Sequence, residues 1–164
     1  MKALVIYYSY DGNTKLIAES IAESINGDVI QLKPKKEGTA KKKITKYLWG
    51  GSQVLMNKTP ELLPLNLDIN EYDIIFIGSP VWAWTFAPPI RTFFNNYVIK
   101  NKHIALFSCH GGQLGKTFVN MKKQLSENNF VGEIDVFEPL KKDTKISTDR
   151  VKNWAEEIMN NVKK

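Results

Sequence analysis

Residues 3–25 have the sequence ALVIYYSYDGNTKLIAESIAESI, and this stretch decides the fold. Its first part, residues 3–8, is a continuous apolar run, which is typical of a strand buried on both faces of a sheet. Its last part, residues 13–25, has an isoleucine at every fourth position from Ile17 and predicts a helix with one apolar face. A buried strand followed at once by a helix forms one βα unit.

The same succession of apolar run and helical pattern recurs along the chain. Further strands are predicted at residues 29–32, 74–77, 104–107 and 134–137, and further helices at residues 87–98, 115–125 and 149–162. Residues 147–149, Ser-Thr-Asp, are candidates for the N-cap of the last helix. Because right-handed crossovers leave few other arrangements, five βα units imply a parallel sheet with helices on both faces. We expect a doubly wound α/β fold with three αβα layers, in a single domain over residues 1–164.

The segment of residues 33–67 interrupts this pattern, and only a short helix around residues 44–56 is predicted within it. The chain has a net charge of +6. Seven lysines crowd the first part of this segment, residues 33–46: Lys33, Lys35, Lys36, Lys41, Lys42, Lys43 and Lys46. Since no arginine or aromatic residue is interleaved with them before Tyr47, a solvated surface is favoured over a nucleic-acid or membrane patch. Docking of an acidic protein partner stays open, because basic surfaces attract acidic ones.

Composition disfavours several other classes of protein. No run reaches the roughly 18 apolar residues that a membrane span needs, and the first residues lack the apolar core of a signal peptide. We therefore expect a soluble, cytoplasmic protein. Cys109 is the only cysteine, which excludes an internal disulfide and does not support a zinc site. We expect it to be a small packed thiol.

Three loops are predicted at the carboxyl ends of strands, where open α/β sheets bind ligands. The first contains Ser9, Tyr10, Asp11, Gly12, Asn13 and Thr14. The second contains Gly78, Ser79, Pro80, Val81, Trp82, Ala83, Trp84 and Thr85. The third contains Ser108, Cys109, His110, Gly111 and Gly112. Together they form the candidate site.

The first loop has the composition of a phosphate site. Short hydroxyl and amide side chains, a glycine and the free backbone amides of a helix start can hold a phosphate without Lys or Arg. The alternative is an ordinary Asp-Gly turn in which Asn13 or Thr14 caps the helix. The loop alone does not decide between these two interpretations.

The other two loops favour a flat aromatic ligand. Trp82 and Trp84 are costly to expose unless they cover something, and an indole face offers stacking to a planar ring. Either tryptophan could instead pack into the core. The third loop has little side-chain bulk and several backbone donors, which suits the polar edge of a heterocycle. A phosphate at one loop and a flat ring between two others describe a mononucleotide.

Two other nucleotide-binding motifs are not supported. Residues 110–117, HGGQLGKT, differ from the P-loop pattern GxxxxGK[ST] by His110 in place of the first Gly. That glycine forms the turn of a P-loop, and no predicted strand ends in an Asp that could hold magnesium. An NTPase is therefore disfavoured. The GxGxxG fingerprint of dinucleotide-binding folds is absent from the sequence.

The sequence resembles the flavodoxin family over most of its length. That family's phosphate loop, Ser/Thr-x-Thr-Gly-Asn-Thr, is present here as SYDGNT, and residues 72–94, YDIIFIGSPVWAWTFAPPIRTFF, are similar to the GSPVW variant of short flavodoxin-domain proteins. The resemblance implies a five-stranded parallel sheet in the order 2-1-3-4-5 and noncovalently bound FMN. It implies that residues 9–14 hold the FMN phosphate, that residues 80–84 flank the isoalloxazine ring and that residues 108–112 face its pyrimidine edge.

The chain departs from the family pattern at three points. Ala83 stands where a Gly usually follows the flavin-stacking Trp, the third loop has no Tyr to cover the flavin, and the chain is basic whereas the family's electron carriers are acidic. A less acidic surround, with His110 near the flavin N1 side, should make the second one-electron potential less negative than in acidic flavodoxins. His110 could equally be bonded to a backbone carbonyl.

Asp11 replaces a Thr of the family's phosphate loop. Because a carboxylate repels a phosphate, we expect Asp11 to turn its side chain away and offer its backbone amide. Ser9, Asn13 and Thr14 would then make the side-chain contacts.

Three functions are compatible with the sequence. The first is an FMN-dependent electron-transfer protein that acts with a redox partner protein, as a monomer or weak dimer. The second is an NAD(P)H-dependent FMN or quinone reductase, for which the missing Tyr leaves room over the flavin and the lysines of residues 33–46 offer charge to a 2′-phosphate. The third is a flavodoxin-like interaction module that has lost FMN. No nucleic-acid or membrane partner is expected.

Overall fold

The computed structural model describes residues 1–36 and 59–163 of the chain. Its strands are β1 (Ala3–Tyr7), β2 (Asp28–Gln31), β3 (Ile74–Trp82), β4 (Thr85–Phe86), β5 (His103–His110) and β6 (Asn129–Phe137). Its helices are α1 (Asn13–Ile25), α2 (Pro88–Asn96), α3 (Thr117–Gln124) and α4 (Thr144–Val162), with a 3-10 turn at Ile69–Glu71. The helix predicted around residues 44–56 lies outside the described residues. Within those two ranges, no helix is long and apolar enough to cross a bilayer.

Five strands form a parallel sheet in the order β2-β1-β3-β5-β6. This is the predicted order 2-1-3-4-5, because β4 adds one to the number of each later strand. The short β4 was not predicted, and it pairs antiparallel with the end of β3 through Val81–Phe86 and Trp82–Thr85. The doubly wound α/β fold is confirmed, and the strand order reverses between β1 and β3.

β3 and β5 run further than the sequence predicts. Residues 78–82 and 108–110, predicted as loops, continue both strands. The serines that suggested loops are satisfied inside the sheet: Ser108 Oγ donates to the Ser79 carbonyl at 2.7 Å, and Ser79 Oγ accepts from the Ala87 amide at 2.9 Å. Because each hydroxyl has a partner, these polar residues can lie in buried strands.

α4 begins earlier than predicted, at Thr144 rather than at residue 149. The predicted caps at residues 147–149 are wrong, since they lie inside the helix and Asp143 is the N-cap residue. The Thr144 hydroxyl donates to the Pro139 carbonyl at 2.7 Å and fixes the helix start. The cap-forming residue types at 147–149 misled the prediction because hydroxyl and carboxylate side chains also lie on exposed helix turns.

Alternate residues of each central strand face two separate cores. Leu4 and Ile6 are fully buried on the face that α2 and α3 cover. Val5 and Tyr7 are buried on the opposite face, against α1 and α4. Since both faces are covered, the strands are continuous apolar runs. Polar side chains that could bind a ligand are therefore expected at the ends of the strands.

Gly78 marks the closest packing between β3 and β5. A Cβ atom at this position would overlap the ring of Phe107, its fully buried neighbour in the ladder. We expect Gly78→Ala to lower the free energy of unfolding by about 3 kcal/mol, because a closed core cannot absorb the added methyl. Denaturant titration of the protein measures this loss.

Gly112→Ala is the matched control for that substitution. Among residues 1–36 and 59–163, no heavy atom other than those of its chain neighbours lies within 4 Å of the Cβ position at Gly112, so the effect of Gly112→Ala should stay within about 0.5 kcal/mol. Equal losses of stability in the two variants would contradict the packing argument.

Candidate functional site

The three predicted loops meet at the carboxyl edge of the sheet, beside the point where the strand order reverses. Tyr10 of the first loop packs edge-on against Trp82, with 5.9 Å between ring centroids. Ser108 Oγ of the third loop donates to the Ser79 carbonyl of the second at 2.7 Å. Beyond the third loop, the Lys116 backbone amide donates to the Trp84 carbonyl at 2.8 Å. The structure therefore brings the second loop into contact with both of the others.

A fourth loop, residues 138–143, belongs to the same edge and was not predicted. The Leu140 amide donates to Asn13 Oδ1 at 3.0 Å, and a Cβ at Gly12 would lie 3.2 Å from Leu140 Cδ1. This contact joins positions 127 residues apart in sequence. No local pattern could have indicated it, since Leu140 lies in an ordinary polar loop.

The first loop is held in shape by its own side chains. Gly12 is the N-cap residue of α1 and has a left-handed φ of 92°, which only glycine adopts without strain. Ser9 Oγ accepts from the Gly12 amide at 3.1 Å, and Asp11 Oδ1 accepts from the Asn13 amide at 3.3 Å. Capping of the helix by Asn13 or Thr14 is therefore wrong, because both lie within α1.

Thr14 provides the clearest indication of a ligand at this loop. Its side chain is fully buried, and within the described part of the chain its hydroxyl oxygen has no hydrogen-bond partner. A buried hydroxyl left unpaired costs about 1–3 kcal/mol. It lies in the first turn of α1, where the helix dipole favours an anion and no acidic side chain is present. The arrangement suits a phosphate oxygen as the missing partner.

The second loop is a tight hairpin between β3 and β4. Its two tip residues, Ala83 and Trp84, have φ angles of 46° and 60°. Two successive left-handed residues are typical of hairpin turns that usually contain Asn-Gly. The hairpin backbone is therefore strained at both positions. Ala83 stands where, by the sequence resemblance, a Gly is usual, and the structure shows that Trp84 also adopts a backbone conformation that favours glycine.

The two tryptophans have different surroundings. Trp82 is half-buried and packs edge-on against both Tyr8 and Tyr10, with ring centroids 5.6 and 5.9 Å away. Trp84 is 67% exposed. Of the two tryptophans, Trp82 therefore packs against the core and Trp84 does not. Pro80 and Val81, also predicted here, lie in β3 and lead to the hairpin.

His110 lies at the end of β5 and forms a pair that was not predicted. Its Nε2 lies 3.0 Å from Asp135 Oδ2, so its partner is a carboxylate and not the backbone carbonyl that was one of the two alternatives. The His110 side chain is 10% exposed, and among the described residues Nδ1 has no hydrogen-bond partner. Asp135 comes to this place by the register of β6, opposite Ser108. Gly111 and Gly112 follow as an exposed turn.

Cys109 is a packed thiol, as expected. It is 3% exposed, and burial raises the pKa of its thiol to about 12. A thiol in this state is neither a nucleophile nor a metal ligand at neutral pH. Residues 1–36 and 59–163 contain no group of three or more His, Cys, Asp or Glu that could hold a metal ion.

Comparison with known proteins identifies relatives of the whole chain. A family model described as Flavodoxin matches residues 2–158. The flavoprotein from Lactobacillus acidophilus NCFM, in complex with FMN, is 29% identical, with 87% of this chain and 97% of that chain aligned and a TM-score of 0.70. The apo form of the Lactobacillus acidophilus flavoprotein is 30% identical, with 86% and 95% aligned and a TM-score of 0.64.

A further solved structure, a candidate flavoprotein from Bacteroides uniformis ATCC 8492, is 24% identical. It aligns with 94% of this chain over 97% of its own length, at a TM-score of 0.75, and shows the likeness of fold alone. A comparison with curated proteins gives no significant match.

We expect Cys109 to resist iodoacetamide at pH 8 in the folded protein and to react fully once guanidinium unfolds the chain. Its folded pKa of about 12 lies above the ordinary value of 9.0. At a pH between these two pKa values the folded state therefore binds more protons than the unfolded state. Cys109 contributes stability that is complete below pH 9 and is lost as the pH rises toward 12, by at most about 1.4 kcal/mol per pH unit.

Denaturation midpoints at pH 8 and pH 11 measure this loss in the wild type and in Cys109→Ala. The variant should lose less stability over that range. Burial also raises the pKa of Tyr7 to about 12. Because Tyr7 is present in both proteins, its contribution to the loss of stability cancels in the comparison. Rapid alkylation of the folded protein would show that the thiol is not buried as described.

Proposed function

The chain belongs to the flavodoxin family, and from that premise we propose that it binds FMN without a covalent bond and works as an electron-transfer protein. The buried Thr14 hydroxyl, which has no partner among the described residues, carries the proposal. Such a group indicates a missing ligand, and FMN has a phosphate to supply one. The FMN complex of the Lactobacillus acidophilus flavoprotein supports this choice of cofactor.

Residues 9–14 would hold the FMN phosphate. They offer hydroxyl donors and backbone amides at the start of α1, so that the phosphate is bound without a formal positive charge. The ring would lie between the β3–β4 hairpin and residues 108–112, with its polar edge toward the His110–Asp135 pair. When bound there, FMN supplies reversible electron transfer at a potential that its surroundings set.

A second candidate function is an NAD(P)H-dependent FMN or quinone reductase. It is favoured by the exposed turn at Gly112, where, apart from its chain neighbours, no heavy atom of the described residues lies within 4 Å of the Cβ position. Such space could admit a second planar ring over the flavin. A module without redox activity is disfavoured, because a buried unpaired hydroxyl would have no reason to persist.

Purification followed by absorbance spectroscopy tests the proposal. We expect a yellow protein, or one that becomes yellow with a stoichiometric amount of FMN. Under anaerobic conditions, NADPH should not bleach its absorbance. Dithionite should bleach it. Rapid bleaching by NADPH alone would favour the reductase, and failure to bind FMN even on reconstitution would favour the interaction module.

Two substitutions in the phosphate loop should change FMN affinity in opposite directions. Thr14→Val removes the proposed phosphate donor and should weaken binding by about tenfold, while the FMN-free protein becomes no less stable because an unpaired hydroxyl is removed. Asp11→Asn removes a negative charge near the phosphate and should strengthen binding by roughly fivefold. Fluorescence titration of FMN measures both constants.

Thr92→Val is the matched control. The Thr92 hydroxyl is buried but paired, since it donates to the Pro60 carbonyl at 2.9 Å. Its loss should reduce stability by about 1 kcal/mol and leave FMN affinity unchanged. If Thr14→Val behaved like Thr92→Val in both respects, Thr14 would not contact the cofactor.

The His110–Asp135 pair should raise the second one-electron potential of the bound flavin. An imidazole N–H beside the flavin would favour the negative charge that develops on reduction, because a hydrogen-bond donor stabilises the charged form. We expect a second potential less negative than in acidic flavodoxins, and we expect His110→Gln to lower it by about 60 mV, a tenfold change in the equilibrium. Spectroelectrochemical titration gives both potentials.

The matched control is His103→Gln, because His103 begins β5 at the opposite edge of the sheet from His110. Its potentials should equal those of the wild type. A very low second potential in the wild type, unchanged by either substitution, would refute the role assigned to His110.

A further inference from the structure

A long part of the chain contains no carboxylate. No Asp or Glu lies between Asp73 and Glu127. This stretch forms β3, β4, β5 and both helices on one face of the sheet, α2 and α3. It also contains a set of basic residues: Arg91, Lys100, Lys102, Lys116, Lys122 and Lys123. The elements of this stretch therefore carry basic side chains and no acidic ones of their own.

Only some of these basic residues are neutralised. Lys100 and Lys122 form ion pairs with glutamates that lie beyond the stretch. The Arg91 guanidinium stacks over a phenylalanine ring. Lys116 and Lys123 are exposed and form no ion pair with any residue in the ranges that the structure describes. Their positive charge remains available to a partner.

Trp84 lies beside Lys116, whose backbone amide donates to the Trp84 carbonyl at 2.8 Å, and is unusual in two respects. Its side chain is 67% exposed, and its φ of 60° costs a bulky residue about 1–2 kcal/mol. The neighbouring loop is fitted to it, since a Cβ at Gly115 would lie 2.5 Å from the Trp84 carbonyl oxygen. Strain that holds an exposed indole in place indicates a role at the surface.

α3 continues the same surface away from the hairpin. Lys116 precedes the helix, and Val119 and Lys123 follow at helical spacing on its exposed side, with Val119 53% exposed. The side chain of Asn120 donates from Nδ2 to Thr85 Oγ1 at 2.9 Å and fixes α3 against the hairpin. We call Trp84, Lys116, Val119 and Lys123 the hairpin–α3 surface.

We propose that the hairpin–α3 surface docks an acidic redox protein, with Trp84 as the buried anchor and Lys116 and Lys123 as the charged rim. This inference rests on the proposed electron-transfer function. An apolar centre with charges around it is the usual organisation of a protein interface, and Trp is among the residues that contribute most to binding. The unpaired lysines select a partner of opposite charge.

The position of the surface supports a redox partner. It begins at the hairpin that borders the candidate cofactor site, so a protein seated on Trp84 lies next to that site. Nucleic acid is disfavoured, because its affinity depends on many phosphate contacts and this surface offers two unpaired lysines around exposed Trp84 and Val119. A basic redox protein would be repelled by the same lysines.

The test uses the FMN-loaded protein and an acidic plant-type [2Fe–2S] ferredoxin as the probe, with calorimetry or NMR as the readout of binding. The dissociation constant should rise at least tenfold between low and physiological salt. Lys116→Glu and Lys123→Glu should each weaken binding by about tenfold. Trp84→Gly, which suits the left-handed backbone, should weaken it by at least about 20-fold. Lys163→Glu, which makes the same change of charge at the end of α4, should have no effect.

Several outcomes would overturn the proposal. They are the absence of ferredoxin binding, equal effects of Lys116→Glu and Lys163→Glu, and full binding by Trp84→Gly. Binding of a 20-base-pair DNA duplex that Lys116→Glu abolishes would assign the surface to nucleic acid instead. Loss of FMN from Trp84→Gly would assign Trp84 to the cofactor site.

FMN content and bleaching by dithionite, measured on every variant, separate this inference from the proposed function. A protein that binds and reduces FMN but ignores ferredoxin refutes the docking surface alone. A protein without FMN refutes the proposed function, and ferredoxin binding to the hairpin–α3 surface can still be measured on it.

Discussion

The parallel strands do not all end at the same level on the carboxyl side of the sheet, and the candidate site depends on that difference in length. β1 ends at Tyr7, opposite Gly78, whereas β3 and β5 continue together beyond that row. They can do so because the Ser108 hydroxyl donates to the Ser79 carbonyl and the Ser79 hydroxyl accepts from the Ala87 amide, so that both buried serines have partners. The first loop begins where β1 stops, and the extended ends of β3 and β5 stand beside it. The hairpin, the imidazole and the helix start thereby reach one place.

The hydrogen bonds of this edge are incomplete at two points. Thr14 Oγ1 and His110 Nδ1 are buried, and neither has a partner among the described residues. Both lie at the ends of elements whose other polar groups are paired, and such defects concentrate where a protein trades stability for a binding site. The strained hairpin at Ala83 and Trp84 adds a third local penalty at the same edge.

The fold was predictable from the sequence because continuous apolar runs and helical periodicity report burial directly. The first loop was predictable because its residue types act within a few positions of one another. The ends of β3 and β5 were not, since Ser79 and Ser108 have the composition of a loop until their long-range pairing is known. Asp135 and Leu140 reach the site through strand register and a distant loop contact, which no local pattern encodes.

The carboxylate of Asp11 already accepts the hydrogen bond of the Asn13 amide. An anion arriving at the start of α1 therefore meets an amide that is occupied by the protein's own negative charge. Filling the loop becomes an exchange of one anion for another, with the helix end neutralised before and after. Such a loop would keep its shape while empty, which lessens the reorganisation that binding requires.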